Sequence, residues 1–134
     1  SYLDLAQFIV QHGSAPAEDL EELWLRIVFS IAISNTDDHL RNHGFLLTPE
    51  GWKLSPAYDI NPTSKSAGLS LNISMDDNSL DFDLALSVAQ HFRIKNPKEI
   101  INTVKEAVSH WPETAKRLKI PRAEIENMSP CFHT

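Results

Sequence analysis

Residues 18–33 constrain the fold of this chain more than any other segment. Their apolar side chains recur at intervals of three and four residues, which places them along one broad face of an α-helix. A helix with so wide an apolar face has to be buried, so this segment predicts a deeply buried helix. The apolar positions are Leu20, Leu23, Trp24, Ile27, Val28, Ile31 and Ala32.

Length and composition limit what can surround this helix. The chain has 134 residues, 42% of them hydrophobic, which suits a single domain spanning residues 1–134. The net charge of -6 argues against a nucleic-acid binder that acts through its overall field. A lone cysteine, Cys131, excludes an internal disulfide, and neither a membrane-length apolar run nor an export signal is present. We therefore expect a cytoplasmic protein that does not associate with membranes.

Further elements are predicted on both sides of the long helix. Ser1 can cap a first helix that Gly13 ends, with an apolar stripe of Leu3, Leu5, Phe8 and Ile9. A Pro-x-Gly turn at residues 48–51 lies between two apolar runs, so residues 43–47 and 52–54 are predicted to form a β-hairpin.

The second half of the chain is predicted to be mainly helical. Residues 61–68 have loop composition and are expected to be mobile or to face a substrate, and the alternation of Leu69, Leu71 and Ile73 predicts a half-buried strand. Helices are expected at residues 83–91, 97–110 (with Asn96 as the cap), 112–118 and 121–128. The predicted fold class is α+β, mainly α.

A cluster of polar residues follows the long helix directly. Asn35, Thr36 and Asp37 have side chains that can bond locally to backbone, so they are expected to end the helix in an ordered loop, which would by itself explain each of them. Asn42 lies five residues after Asp37, however, and Asp59 lies just beyond the hairpin. This order of side chains suits phosphoryl transfer.

Phosphoryl transfer to a hydroxyl needs a carboxylate near the attacking oxygen and oxygen ligands for Mg²⁺. Asp37, Asn42 and Asp59 can supply these groups. An asparagine amide oxygen binds a hard cation without adding negative charge to a crowded pocket. Arg41 can pair either with a phosphate or with Asp38.

Two other metal sites are less well supported by the sequence. His39 and His43 are four residues apart and could bind a metal with Asp37 or Asp59, but the loop does not look helical and no His-Glu-x-x-His pattern occurs. Histidines that orient the loop through hydrogen bonds are the simpler interpretation, with His39 favoured for this role. The acidic run at residues 76–83 lacks the glycine of a calcium loop and is predicted to be a turn into a helix.

Residues 35–42 (NTDDHLRN) and 54–60 (LSPAYDI) follow an apolar helix in this order. They closely resemble the C-terminal lobe of HipA-type serine/threonine kinases, the toxins of HipBA toxin-antitoxin modules. The resemblance extends over most of the chain, to about Met128. It implies a protein-kinase-like lobe with a short β-hairpin between the catalytic loop and the metal-binding Asp59.

The resemblance also implies roles for individual residues. Asp37 would be the catalytic base with His39 as its loop-organising neighbour, and Asn42 and Asp59 would bind Mg²⁺. Arg41 would lie on the cofactor side, and the cofactors would be ATP and Mg²⁺. The implied partners are a protein substrate, such as an aminoacyl-tRNA synthetase or another translation factor, and a HipB-like DNA-binding antitoxin that provides any contact with DNA.

The chain departs from this family's full pattern in one respect. It has no glycine-rich nucleotide loop and no strand with an ATP-pairing lysine, and Lys53 and Lys65 lie downstream of the catalytic loop. We therefore expect a fragment of a longer protein, with little or no kinase activity by itself. A small-molecule phosphotransferase and a noncatalytic module that binds an antitoxin or another partner are the alternatives.

Overall fold

A computed structural model describes residues 1–63 and 67–134, and one long helix lies at its centre. This helix, α2, spans Pro16–Ile33, and every apolar residue predicted to be buried on it is buried. It ends at Ser34, whose backbone is left-handed with φ of 53°. This conformation stops the helical path and turns the chain into the polar loop.

The first helix, α1, spans Tyr2–His12 and packs against α2. Ser1 and Asp4 form a reciprocal capping box at its start, and Gly13 follows its last residue, as predicted. The predicted apolar stripe was partly wrong, because Tyr2, Leu5, Ala6 and Ile9 form the buried face. Leu3 and Phe8 are only partly buried, and Phe8 packs against Phe45 and Trp52 instead of the centre of the core.

The predicted hairpin is confirmed, with strand β1 at Phe45–Thr48 and strand β2 at Gly51–Leu54 in an antiparallel pair. Gly51 has φ of 133°, and a Cβ there would approach the His12 carbonyl oxygen to 3.0 Å, so the position requires glycine. The carboxylate of Asp19 on α2 accepts a hydrogen bond of 2.8 Å from the backbone N–H of Leu54. The hairpin is therefore fixed to α2 at the point where the chain leaves β2.

The second half of the described chain is helical, as predicted. Helices α3, α4, α5 and α6 span Phe82–Val88, Pro97–Ser109, Trp111–Arg117 and Arg122–Met128. Asp81 caps α3, and the indole N–H of Trp24 on α2 donates to the Ala85 carbonyl at 3.1 Å. Asn96 occupies the predicted N-cap position of α4, although its side chain makes no capping hydrogen bond.

The predicted strand at residues 69–73 does not form. Leu69 and Ile73 are buried, but their N–H groups donate to the carbonyls of Asn78 and Asp77, which lie in a nearby turn. The alternation of apolar residues therefore reflects burial on the core without a neighbouring strand. The predicted loop at residues 61–68 includes residues 64–66, which lie outside the described residues.

The described elements thus form a mostly helical α+β fold with a two-stranded sheet. Within residues 1–63 and 67–134, none of the helices combines the length and the apolar character that a membrane crossing requires.

Replacement of Asp19 by alanine is expected to lower the free energy of unfolding by about 1–3 kcal/mol, because the buried N–H of Leu54 loses its acceptor. Asp19→Asn keeps an oxygen in the same place and is the matched control, with a smaller expected loss. Chemical denaturation of the three proteins provides the measurement. Equal losses in both variants would show that the hydrogen bond does not stabilise the hairpin.

Candidate functional site

The polar loop after α2 is ordered by hydrogen bonds, as the sequence predicted. The N–H of Asn35 donates to the Ser30 carbonyl at 2.8 Å, and the side chains of Asn35 and Thr36 are buried. A short 3-10 turn at Leu40–Asn42 completes the loop before the hairpin. Its polar groups are therefore held in fixed positions, although the loop has no regular helix or strand over most of its length.

Asp37 combines a fixed backbone with an exposed side chain. Its carbonyl oxygen accepts hydrogen bonds from the His39 N–H at 2.9 Å and from the Asn42 Nδ2 at 3.2 Å. Its carboxylate has no hydrogen bond within the described residues. Asn42 is buried, and its Nδ2 group is occupied, whereas its Oδ1 atom has no hydrogen-bond donor among the described residues. The structure thus brings Asp37 and Asn42 together through backbone and amide, not through the two side-chain oxygens.

Asp59 lies in a second loop that hydrogen bonds to the first. Its backbone is left-handed, with φ of 56°, and one carboxylate oxygen accepts from Asn61 Nδ2 at 3.0 Å. The N–H of Asn61 donates to Asn35 Oδ1 at 3.3 Å, and the Tyr58 hydroxyl donates to the Arg41 carbonyl at 2.8 Å. The Asp59 carboxylate makes no direct hydrogen bond with Asp37 or Asn42, but two bonds hold its loop against theirs.

Ser34 joins three parts of the chain at the start of the polar loop. Its carbonyl accepts from the Thr63 N–H at 2.9 Å, which adds a further link to the Asp59 loop. Its hydroxyl donates to the Cys131 carbonyl at 2.8 Å, and His133 Nε2 lies 2.9 Å from the hydroxyl oxygen of Ser34. The segment with Cys131 and His133 therefore contacts Ser34, the residue at which α2 ends and the loop begins.

Asp38, within the polar loop, has a buried carboxylate. The Tyr2 hydroxyl donates to one of its oxygens, and His43 Nε2 lies 3.0 Å from the other. Burial is the main reason that the pKa of Tyr2 is raised well above its ordinary value, and the neighbouring Asp38 charge and hydrogen bond raise it further. Tyr2 therefore remains a proton donor to Asp38 at neutral pH.

These contacts correct two of the predicted interactions. His43 holds the loop through Asp38, whereas the expectation favoured His39 for that role; His39 Nδ1 is buried without a hydrogen-bond partner among the described residues. Arg41 does not pair with Asp38 and forms no ion pair with any described residue. In the described ranges, no three or more His, Cys, Asp and Glu side chains converge on a possible metal position, so the histidine metal centre does not form there.

Sequence reasoning missed Arg26, which lies on the buried side of α2. Its Nη2 group donates to the Ser55 carbonyl at 2.7 Å, and its Nε group donates to Glu22 at 2.9 Å. Its place between the apolar positions Leu23 and Ile27 was a sign in the sequence that Arg26 is buried with hydrogen-bond partners. Buried arginines are rare unless they have such partners.

Fold and site together define a mainly helical lobe in which a β-hairpin separates a polar loop from an acidic loop. The model of the HipA-like C-terminal domain family matches residues 1–124, and the chain belongs to this family, which confirms the resemblance. A Haemophilus influenzae protein that carries the provisional name of a kinase is 37% identical over 60 residues. That match covers 44% of this chain and 18% of the relative. No solved structure matches significantly.

The free energy of unfolding is expected to fall as the pH rises above the ordinary tyrosine pKa of about 10. The unfolded chain then loses the Tyr2 proton, while the folded protein keeps it because its pKa is raised. Urea denaturation at about pH 9 and about pH 11 should show a smaller decrease in Tyr2→Phe than in the unchanged protein. Equal decreases would contradict the raised pKa of Tyr2 in the folded protein.

Proposed function

We propose that this chain is the catalytic lobe of a serine/threonine protein kinase that transfers the γ-phosphate of ATP to a protein hydroxyl. Membership of the HipA-like family and the relative's name support the kinase class. The observation that carries the proposal is the set of hydrogen bonds that joins the loop of Asp37 and Asn42 to the loop of Asp59. Phosphoryl transfer depends mainly on such positioning of charged groups.

Asp37 is the proposed catalytic base. Two hydrogen bonds to its carbonyl fix the backbone, and the carboxylate remains exposed and unpaired within the described residues. A substrate hydroxyl can therefore reach it. In the proposed reaction the hydroxyl oxygen forms a bond to the γ-phosphorus as the bond between that phosphorus and ADP breaks, and the hydroxyl proton passes to Asp37.

Asn42 and Asp59 are the proposed ligands of Mg²⁺. Mg²⁺ prefers oxygen ligands and is commonly held by one or two carboxylates together with waters and substrate phosphates. The residues fit this preference, because among the described residues Asn42 has an oxygen without a donor, and one Asp59 oxygen is bonded to Asn61 while the other has no hydrogen-bond partner there. When bound, Mg²⁺ would neutralise charge on the phosphates of ATP. Tyr58 would help to keep Asp59 in place through its bond to the Arg41 carbonyl.

Further roles follow from the same proposal. The exposed side chain of Arg41, which has no ion-pair partner among the described residues, would contact a phosphate, and His39 would adjoin the catalytic Asp37. As the toxin of a toxin-antitoxin module, the protein would phosphorylate a translation factor such as an aminoacyl-tRNA synthetase. A HipB-like antitoxin would restrain it in the cytoplasm.

Replacement of Asp37 by asparagine in the protein at its natural length is expected to reduce phosphate transfer by about 10²–10⁴-fold, because the amide cannot accept the hydroxyl proton. Asp59→Asn is expected to reduce transfer as well, through weaker Mg²⁺ binding. Asp76→Asn is the matched control, since Asp76 is exposed and lies outside both loops. Intact-mass spectrometry after incubation with MgATP and cell lysate measures the added phosphate.

Different outcomes separate the alternatives. Phosphate on a metabolite and not on protein would replace the protein-kinase proposal with a small-molecule phosphotransferase. Absence of any transfer by a folded, nucleotide-binding protein would favour a noncatalytic binding module. Equal activity of Asp37→Asn and Asp76→Asn would remove Asp37 from the catalytic role.

A further inference from the structure

A small cavity lies between α2, the polar loop and the segment that leads from β2 to Asp59. Its volume is ≈ 10 Å³, and its lining includes Arg26, Asn42, His43 and Tyr58. A polar cavity of roughly this size holds one water molecule when at least two polar groups can bind it. The chemistry of its lining therefore decides whether it is filled.

Arg26 contributes an unpaired donor to this region. The residue is 6% exposed, and its Nε and Nη2 groups donate to Glu22 and to the Ser55 carbonyl. Its Nη1 group is buried and has no hydrogen-bond partner among the described residues. A buried guanidinium N–H without an acceptor is costly, so an acceptor is needed beside Nη1.

His43 contributes a second unpaired atom on the same lining. Its side chain is 2% exposed, and its Nε2 atom faces the Asp38 carboxylate. An ionised carboxylate can only accept hydrogen bonds, so Nε2 carries a ring proton, and Nδ1 is the ring atom that remains for a second partner. That Nδ1 atom is also buried without a partner among the described residues.

We propose that this cavity binds one ordered water molecule, which accepts a hydrogen bond from Arg26 Nη1 and is also hydrogen-bonded to His43 Nδ1. One molecule of water supplies both missing partners, since it can form several hydrogen bonds at once. Neither of these two atoms has a hydrogen-bond partner in the described part of the chain.

The water would make Arg26 a positioning residue for the candidate site. Through Nη2, Arg26 holds the carbonyl of Ser55, from which the chain continues to Asp59. Through the water it would also hold His43, the residue directly after Asn42. Arg26 would thus position both proposed Mg²⁺ ligands through the neighbouring residues Ser55 and His43, without contacting the substrate. This consequence rests on the proposed function, whereas the water site does not.

A crystal structure at a resolution that orders buried water tests the site directly, for the unchanged protein and for Arg26→Met. We expect one water within hydrogen-bond distance of Arg26 Nη1 and His43 Nδ1, and its loss in Arg26→Met. A dry cavity in the unchanged protein, or an Arg26 side chain that has left it, would overturn the proposal.

The positioning role is tested by the Mg²⁺ dependence of phosphate transfer in the protein at its natural length. Arg26→Met should raise the Mg²⁺ concentration for half-maximal transfer roughly tenfold or more. Arg26→Lys, which keeps a charged donor for the Ser55 carbonyl, should recover part of that loss. Arg117→Met, the same exchange at an exposed position on α5, is the control and should leave the requirement unchanged.

The crystal structure and the Mg²⁺ dependence of phosphate transfer test the water site and the kinase proposal separately. An unchanged Mg²⁺ requirement in Arg26→Met, with normal transfer by the unchanged protein, would overturn the positioning role alone. No transfer by the unchanged protein would overturn the kinase proposal together with that role, and the crystal structure would still decide the water site. Thermal unfolding of both Arg26 variants shows whether they are folded, so that a changed Mg²⁺ requirement is not mistaken for a loss of folded protein.

Discussion

A buried carboxylate must be hydrogen-bonded, and this requirement fixes the path of the loop on which the candidate site is built. Asp38 meets it with the hydroxyl of Tyr2 on α1 and the imidazole of His43 at the end of the loop. The first helix and both ends of the loop are therefore joined through one side chain. Asp37 lies beside this anchor, where two hydrogen bonds hold its carbonyl and its own carboxylate is exposed.

Much of the fold could be predicted because its determinants are local. The apolar spacing of α2, the Ser1 cap of α1 and the turn of the hairpin each lie within a few residues of the structure that they produce. Residues 69–73 show where local patterns fail. Their alternation is correct as a burial pattern, but a strand also needs a partner strand, and the nearby turn supplies the backbone bonds instead.

The candidate site was only partly predictable, since its contacts join residues far apart in sequence. Asp37, Asn42 and Asp59 could be selected from their types and order, and their roles remain predictions. His43 anchors the loop through Asp38, and Asp38 is bonded in turn to Tyr2, which is 36 positions away in the sequence. Spacing within the loop carried no sign of that contact. Arg26 was missed because its acceptor, the Ser55 carbonyl, belongs to backbone that only the folded hairpin brings to α2.

The most direct test of the central claim is a crystal structure of the protein at its natural length with Mg²⁺ and a non-hydrolysable ATP analogue. The account predicts one Mg²⁺ bonded to Asn42 Oδ1 and to an Asp59 carboxylate oxygen at about 2.1 Å, with the Asp37 carboxylate facing the γ-phosphate. A nucleotide-bound Mg²⁺ that contacts neither Asn42 nor Asp59 would contradict it.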